Sequence, residues 1–317
     1  MKIGFFLSGE EYSPVQLIAQ ARAAEEAGFQ ALWISDHFHP WTHEQGNAGF
    51  VWAVIGALSQ VTSRVPVTTG VTCPIMRIHP VITAQAAATS ATLLPGRFGF
   101  GVGTGEALNE QVLGQDWPEA DVRLEMLEEA VELMRRLWTG EVVSHEGRHF
   151  RSRHAKLFTL PEEPPPVLIS GFGPKSIEVA GRIGDGFCTA SADREAIELF
   201  RASGGGGKPV QAGAKVCFGS DEAESRRTAH RLWPNDGLPG ELAQVLPTPE
   251  HFEQASSLVT EEMIGESMPC GPDLDRHVAH LQEYADAGVD EVYVQQVGGN
   301  HDEFFEAYAR EVLPRFG

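Results

Sequence analysis

Cysteine is scarce in this chain. Only Cys73, Cys188, Cys217 and Cys270 occur in 317 residues, and no two form a C-x-x-C pair. That spacing excludes a disulfide-stapled scaffold and a cysteine zinc site. Three of the four lie in apolar stretches and read as reduced core residues of a cytoplasmic protein. Positive charge is scarce too: lysine and arginine number 24 against 44 acids, for a net charge of −20. Such a surface repels a phosphate backbone and an anionic bilayer, so nucleic acid and membrane are not expected as partners. Long apolar runs are missing. No segment reaches 18 unbroken apolar residues, and the opening "MKIGFFLSGEEYS" holds too short a run for a signal peptide.

Short apolar runs are plentiful. "KIGFFLS", "ALWISD", "VPVTTGVT", "RFGFGVG", "PVLISGFG", "GFCTA", "AKVCFG" and "EVYVQQV" are continuous rather than alternating, as parallel strands covered on both faces require. Amphipathic stretches separate them. Leu127, Val131, Met134 and Leu137 recur at helical steps, and "SPVQLIAQARAAEEAG" opens on Ser13-Pro14 and closes on Gly28. Eight strand–helix units predict an α/β fold, a (β/α)8 TIM barrel, with a doubly wound sheet as the other arrangement. We expect one domain over 1–317, with insertions at about 140–166 (hairpin-like) and 233–270. "SGGGGKP" at 203–209 reads as a flexible loop.

In such a barrel, functional groups gather at the C-terminal ends of the strands. Those ends carry Ser8-Gly9-Glu10, Asp36-His37 with Trp41 beyond, Gly70-Val71-Thr72, Thr104-Gly105-Glu106 with Asn109, and Gly171-Phe172-Gly173-Pro174-Lys175. His37-Phe38-His39 has metal-ligand spacing. The ends of strands five and six, "SGFG" and "TASAD", add no histidine, so no metal is expected. "GVGTGE" breaks the dinucleotide fingerprint at Glu106 and lacks the Lys-Ser/Thr of a P-loop. It reads as a tight turn or as a close backbone approach to a flat ligand. "SGFGPKS" offers bare amides at a helix start, either an anion site or a simple turn. An imidazole among Glu10, Asp36 and Glu106 suits proton transfer to or from a hydroxyl.

Taken together, "SDHFHPW", "VTCPIMRIHP", "GVGTGEALNE", "LMRRLWTGE" and "ISGFGPKS" resemble the luciferase-like superfamily. Within it they are most similar to the coenzyme F420-dependent oxidoreductases of the glucose-6-phosphate dehydrogenase type. The resemblance covers 1–190, weakens over 191–270 and returns at 271–312. It implies catalytic roles for His37 as base, Glu106 as proton donor or partner near the ring, and Trp41 packed over the reacting centre. It implies that Asp36, Gly70, Val71, Thr104, Asn109, Gly171, Phe172 and Gly173 hold the deazaflavin cofactor. Gly70-Val71 is expected as a cis bulge, Glu10 as a neighbour of His37 and Trp41 in the substrate pocket, and the protein as a homodimer.

The sugar-phosphate enzymes grip phosphate with two lysines and an arginine. Here one such position falls in "SSLVTEEMIGESMP", with Glu261 and Glu262, and another in "ADREAIELF". Carboxylates there penalise a phosphate. The expected reaction is hydride transfer between F420 and a hydroxyl or carbonyl carbon of a small, non-phosphorylated alcohol or sugar. Arg194, Arg201 and Lys215 are the cations left to place. Two other readings stay open: an FMN-dependent monooxygenase and a non-catalytic cofactor-binding subunit.

Overall fold

Alternation along the first strand sets the plan. Strand β1 (Lys2–Leu7) turns Ile3, Phe5 and Leu7 outward into the main apolar core and Phe6 inward. The computed structural model describes residues 1–317. After β1 come β2 (Leu32–Ile34), β3 (Val67–Thr69), β4 (Phe98–Val102), β5 (Val143–Glu146), β6 (Arg151–Ala155), β7 (Val167–Ser170), β8 (Gly186–Thr189), β9 (Val210–Val216) and β10 (Glu291–Gln296). Eight of these close a barrel in the order β1-β10-β9-β8-β7-β4-β3-β2, and every pairing in it is parallel. Strands β5 and β6 pair only with each other, antiparallel. The fold is the (β/α)8 barrel read from the sequence.

Helices α1 (Pro14–Ala27), α2 (Val51–Val61), α3 (Pro80–Leu93), α4 (Ala107–Glu110) and α5 (Ala120–Leu137) follow the first four barrel strands. Next come α6 (Pro174–Ile183), α7 (Arg194–Phe200), α8 (Glu222–Leu232), α9 (Leu242–Val245), α10 (Pro249–Ser256), α11 (Glu261–Ser267), α12 (Leu274–Ala287) and α13 (His301–Ala307). Helix α1 starts at Pro14, where a missing N–H costs nothing, and stops at Gly28, whose φ of +99° suits a residue without Cβ. Leu127, Val131, Met134 and Leu137 of α5 are all buried. No helix is long and apolar enough to cross a membrane.

The barrel interior is filled. Trp33 and Tyr293 stack with ring centroids 4.6 Å apart, beside Ala31, Leu168 and Cys188. Such a pair contributes about 1 kcal/mol beyond the area it buries. The missing side chain of Gly4 makes room for it: a Cβ there would lie 2.5 Å from the Tyr293 ring. This plug closes the N-terminal half of the barrel and leaves the C-terminal mouth for chemistry.

The two insertions do different things. The β5–β6 hairpin lies on the outer face of α5, where Glu129 accepts hydrogen bonds from the main-chain N–H groups of His149 and Phe150, both at 2.9 Å. Residues 233–270 instead roof the mouth. Trp233, Val259, Ile264, Met268 and Cys270 form a separate apolar cluster with Cys217 and Val297 from the ends of β9 and β10, and Trp41 packs against it.

Two local expectations change. Strand β9 begins at Val210, four residues before "AKVCFG", because its polar residues face the barrel interior rather than marking a loop. The stretch read as flexible begins as a π-helical turn, Arg201–Gly205, which continues α7. Gly204 takes φ +106° there, and a Cβ on Gly181 of α6 would meet Ser203 at 2.8 Å. Close packing between backbones, which composition does not report, orders it.

Candidate active site

Glu10 and His37 come together at the mouth from adjacent strand ends. Glu10 is buried and accepts from Ser8 Oγ at 3.0 Å and Ser35 Oγ at 2.7 Å through one carboxylate oxygen. Its other oxygen lies 3.3 Å from His37 Nε2; the two side chains are 3% and 10% exposed. A buried carboxylate needs such partners. Trp41 covers the ring, with centroids 4.8 Å apart, and is backed by Phe252 of α10 at 5.1 Å.

Asn109 ties this pair to Glu106. Its amide oxygen accepts from the N–H groups of Phe38 at 2.9 Å and His39 at 3.1 Å. That fixes the amide orientation, since only the oxygen can accept. Its nitrogen lies 3.0 Å from His37 Nδ1 and donates to Glu106 Oε2 at 3.3 Å. Both ends of the Asn109 amide are therefore engaged within the protein, bracing the catalytic candidates. His39 turns away and meets the carbonyl of Leu108 at 2.9 Å.

Asp36 heads a second buried network. Its Oδ1 pairs with Arg77 Nη2 at 2.8 Å, and Arg77 Nε lies 3.7 Å from Glu110 Oε1. Glu110 also accepts the Arg77 main-chain N–H at 2.8 Å. Burial pushes the Glu110 carboxyl up to about 7, and Arg77 offsets this only in part. Burial opposes the Arg77 charge, but Asp36 and Glu110 outweigh it and hold the guanidinium above its ordinary value. Asp36 Oδ2 is buried with no hydrogen-bond partner. Arg77 and Glu110 did not stand out in sequence, although a lone arginine inside "VTCPIMRIHP" was the available signal.

The peptide between Gly70 and Val71 is cis. Val71 reaches the inner cluster and faces Gly103, where a Cβ would stand 3.1 Å from Val71 Cγ2. Next to it, the hydroxyl of Thr72 is buried and without a partner. Thr104 is half-buried beside Gly103. On the neighbouring strand end, Gly171, Phe172 and Gly173 lead into α6; Phe172 is exposed, and the Gly173 N–H donates to Ser176 Oγ at 3.2 Å. Lys175 is drawn off to Asp121 at 2.7 Å on the surface.

The remaining cations separate clearly. The guanidiniums of Arg194 and Arg201 donate to the carbonyls of Asp286 and Gly288 at the end of α12, on the opposite face of the barrel. Lys215 alone of the three is at the mouth. Its neighbours on the same face of β9 are Gln211, which accepts from Trp33 Nε1 at 2.8 Å, and Gly213, where a Cβ would lie 3.4 Å from the Trp33 ring. Lys215 therefore points into the barrel, one step above the aromatic plug. Its ammonium sits 4.3 Å over the Trp233 ring and 3.0 Å from the Asp236 carboxylate.

Residues 1–291 match the luciferase-like monooxygenase family. The F420-dependent glucose-6-phosphate dehydrogenase of Segniliparus rotundus is 36% identical over 99% of this chain and 98% of its own length. That of Amycolatopsis mediterranei is 33% identical over 99% and 98%. Among solved structures, an F420-dependent secondary alcohol dehydrogenase in complex with an F420–acetone adduct superposes with a TM-score of 0.92, at 30% identity and 98% coverage of both chains. The F420-dependent tetrahydromethanopterin reductase of Methanopyrus kandleri shares the fold, with a TM-score of 0.78 at 21% identity over both whole chains. With a family match over nine-tenths of its length and full-length relatives above 30% identity, the chain belongs to the luciferase-like family, among its F420-dependent dehydrogenases.

Proposed function

We propose that this protein is a coenzyme F420-dependent oxidoreductase acting on the hydroxyl or carbonyl carbon of a small, non-phosphorylated alcohol or sugar. The observation that carries the reading is the His37–Glu10 pair, buried at the barrel mouth under Trp41 and braced by Asn109. The surrounding residues fit the cofactor. Asp36 Oδ2 and the Thr72 hydroxyl are buried polar atoms still lacking a partner, as the rim of a polar-edged ring requires. Asp36, Gly70, Val71 and Thr104 would hold that ring, and the backbone at Gly171, Phe172 and Gly173 its anionic tail. When bound, F420 supplies a carbon centre that exchanges two electrons as hydride with the substrate carbon.

The chain's own residues handle the proton. Because His37 Nδ1 faces the Asn109 amide nitrogen and the His39 carbonyl, the substrate hydroxyl would pass its proton to Nε2, beside Glu10, in oxidation and recover it from there in reduction. Glu10 favours the ring that carries it. Trp41 and the roof behind it exclude water and press the substrate carbon into place. Glu106, held through Asn109, is the second acid at the mouth. The resemblance implies a homodimer, which light scattering of the purified protein tests, and the four buried, unpaired cysteines favour a reducing, cytoplasmic location.

Charge supports the non-phosphorylated substrate class. Lys215 reaches the mouth already paired with Asp236, and α11 opens with the two carboxylates of Glu261 and Glu262 and no lysine. A phosphate would meet no free cation among these groups. Secondary alcohols, free sugars and sugar phosphates mixed with protein and oxidised F420, with FMN in parallel, test the reading through loss of visible absorbance. Turnover of a neutral alcohol or sugar with F420 is expected; rapid turnover of a sugar phosphate overturns the substrate assignment.

A further inference from the structure

We propose that Asp236 is a specificity-determining residue, which neutralises Lys215 and so closes the mouth to anionic substrates. The inference rests on the site reading above and adds to it the group that sets the charge preference. Lys215 occupies the topmost inward position of β9, opposite Gln295 of β10. Gln295 Nε2 donates to Glu11 Oε1 at 3.0 Å, and the indole N–H of Trp233 donates to the same oxygen. Trp233 thus stands upright at the rim with its ring under the Lys215 ammonium. The apolar cluster that holds Trp233 also receives Trp41, the residue over His37. Lys215 and Trp41 therefore both border the apolar cluster that contains Trp233, one from the end of β9 and the other from beside His37.

The pair is neither buried nor free. Lys215 and Asp236 are 27% and 24% exposed, so each can meet a ligand as well as its partner. An isolated ammonium over an indole at this position would be an anion site. Asp236 lies in the short 3-10 turn Pro234–Gly237, directly after Trp233, so the segment that builds the wall also delivers the countercharge. An anion approaching Lys215 meets the carboxylate at nearly the same distance, and attraction and repulsion largely cancel. A neutral hydroxyl compound feels no such opposition, because the pair presents both a donor and an acceptor to it.

The test is isothermal titration of inorganic phosphate into the purified full-length protein, with no turnover required. Wild type, D236N, K215M and the double variant D236N/K215M are compared. We expect phosphate affinity at least tenfold tighter in D236N than in wild type, and no gain in the double variant. Parallel assays with F420 are expected to show D236N acquiring inhibition by phosphate or turnover of a sugar phosphate. Phosphate affinity that is equal in wild type and D236N overturns the proposal, as does tight wild-type binding lost in K215M. A gain that persists in the double variant also overturns it, because Lys215 is then not the anion site. Circular dichroism melting separates misfolding from lost binding, and K215R is the folded cationic control if K215M fails. Absence of turnover with every neutral alcohol bears on the function reading and leaves the phosphate titration to decide this one.

Discussion

Replacing Glu10 by glutamine keeps the shape of the side chain and removes its charge. The carboxylate oxygen lies 3.3 Å from His37 Nε2, and two unit charges at that distance interact by about 5 kcal/mol at an effective dielectric of 20. The loss is expected to fall on the state in which the ring carries the transferred proton. Solvent reaches the ring edge, which is 10% exposed, and halving the interaction to about 2.5 kcal/mol is reasonable. That corresponds to a fall of roughly 70-fold in kcat/KM. Ser8 and Ser35 can still donate to the remaining amide oxygen, so the fold is expected to hold. The assay is steady-state turnover with F420 and a reactive alcohol, alongside cofactor titration by fluorescence. Cofactor affinity is expected within threefold of wild type. E10Q turning over within threefold of wild type refutes the role given to this pair.

Glu110→Gln tests the buried acid beside Arg77. A carboxyl raised from 4.5 to about 7 on folding contributes stability below pH 4.5 that is lost as pH rises to about 7, on the order of 3 kcal/mol in all. The drop in melting temperature between pH 5 and pH 8 is therefore expected to be smaller in E110Q; equal drops contradict it. Glu25 shows the opposite sign. Burial pushes its carboxyl up, but the main-chain N–H groups of Val65, Arg64 and Ser63 outweigh that and hold it below the ordinary range. Its contribution is present above the unfolded value and lost as pH falls through the folded one. E25Q is expected to cost about 1–2 kcal/mol at pH 7 in denaturant melts and to leave kcat/KM unchanged, since Glu25 lies at the far face of the barrel.

Much of the barrel was legible because parallel strands covered on both faces advertise themselves as unbroken apolar runs. The first half of β9 is less legible because Gln211, Gly213 and Lys215 face inward and interrupt the apolar run. The same inward face is what brings Lys215 to the mouth. The residues around His37 were legible because strand ends carry chemistry in this fold. Less so were the braces. Arg77, Glu110 and Ser35 act through contacts 25 to 41 positions apart in sequence, and no local pattern reports such pairings. The amide of Asn109 also braces the 37–39 loop and Glu106, which only its partners reveal. Trp233, Phe252 and Asp236 lie in the segment where the resemblance fades, and the roof they form becomes visible only when the insertion folds over the mouth.

The most direct measurement titrates oxidised F420 into wild type and His37→Ala, then adds a neutral secondary alcohol and follows cofactor absorbance. Wild type and H37A are expected to bind the cofactor with similar midpoints, and only wild type is expected to bleach it on adding alcohol, with H37A slower by at least a hundredfold. Failure of wild type to bind F420, or bleaching by H37A at the wild-type rate, contradicts the assignment of this mouth.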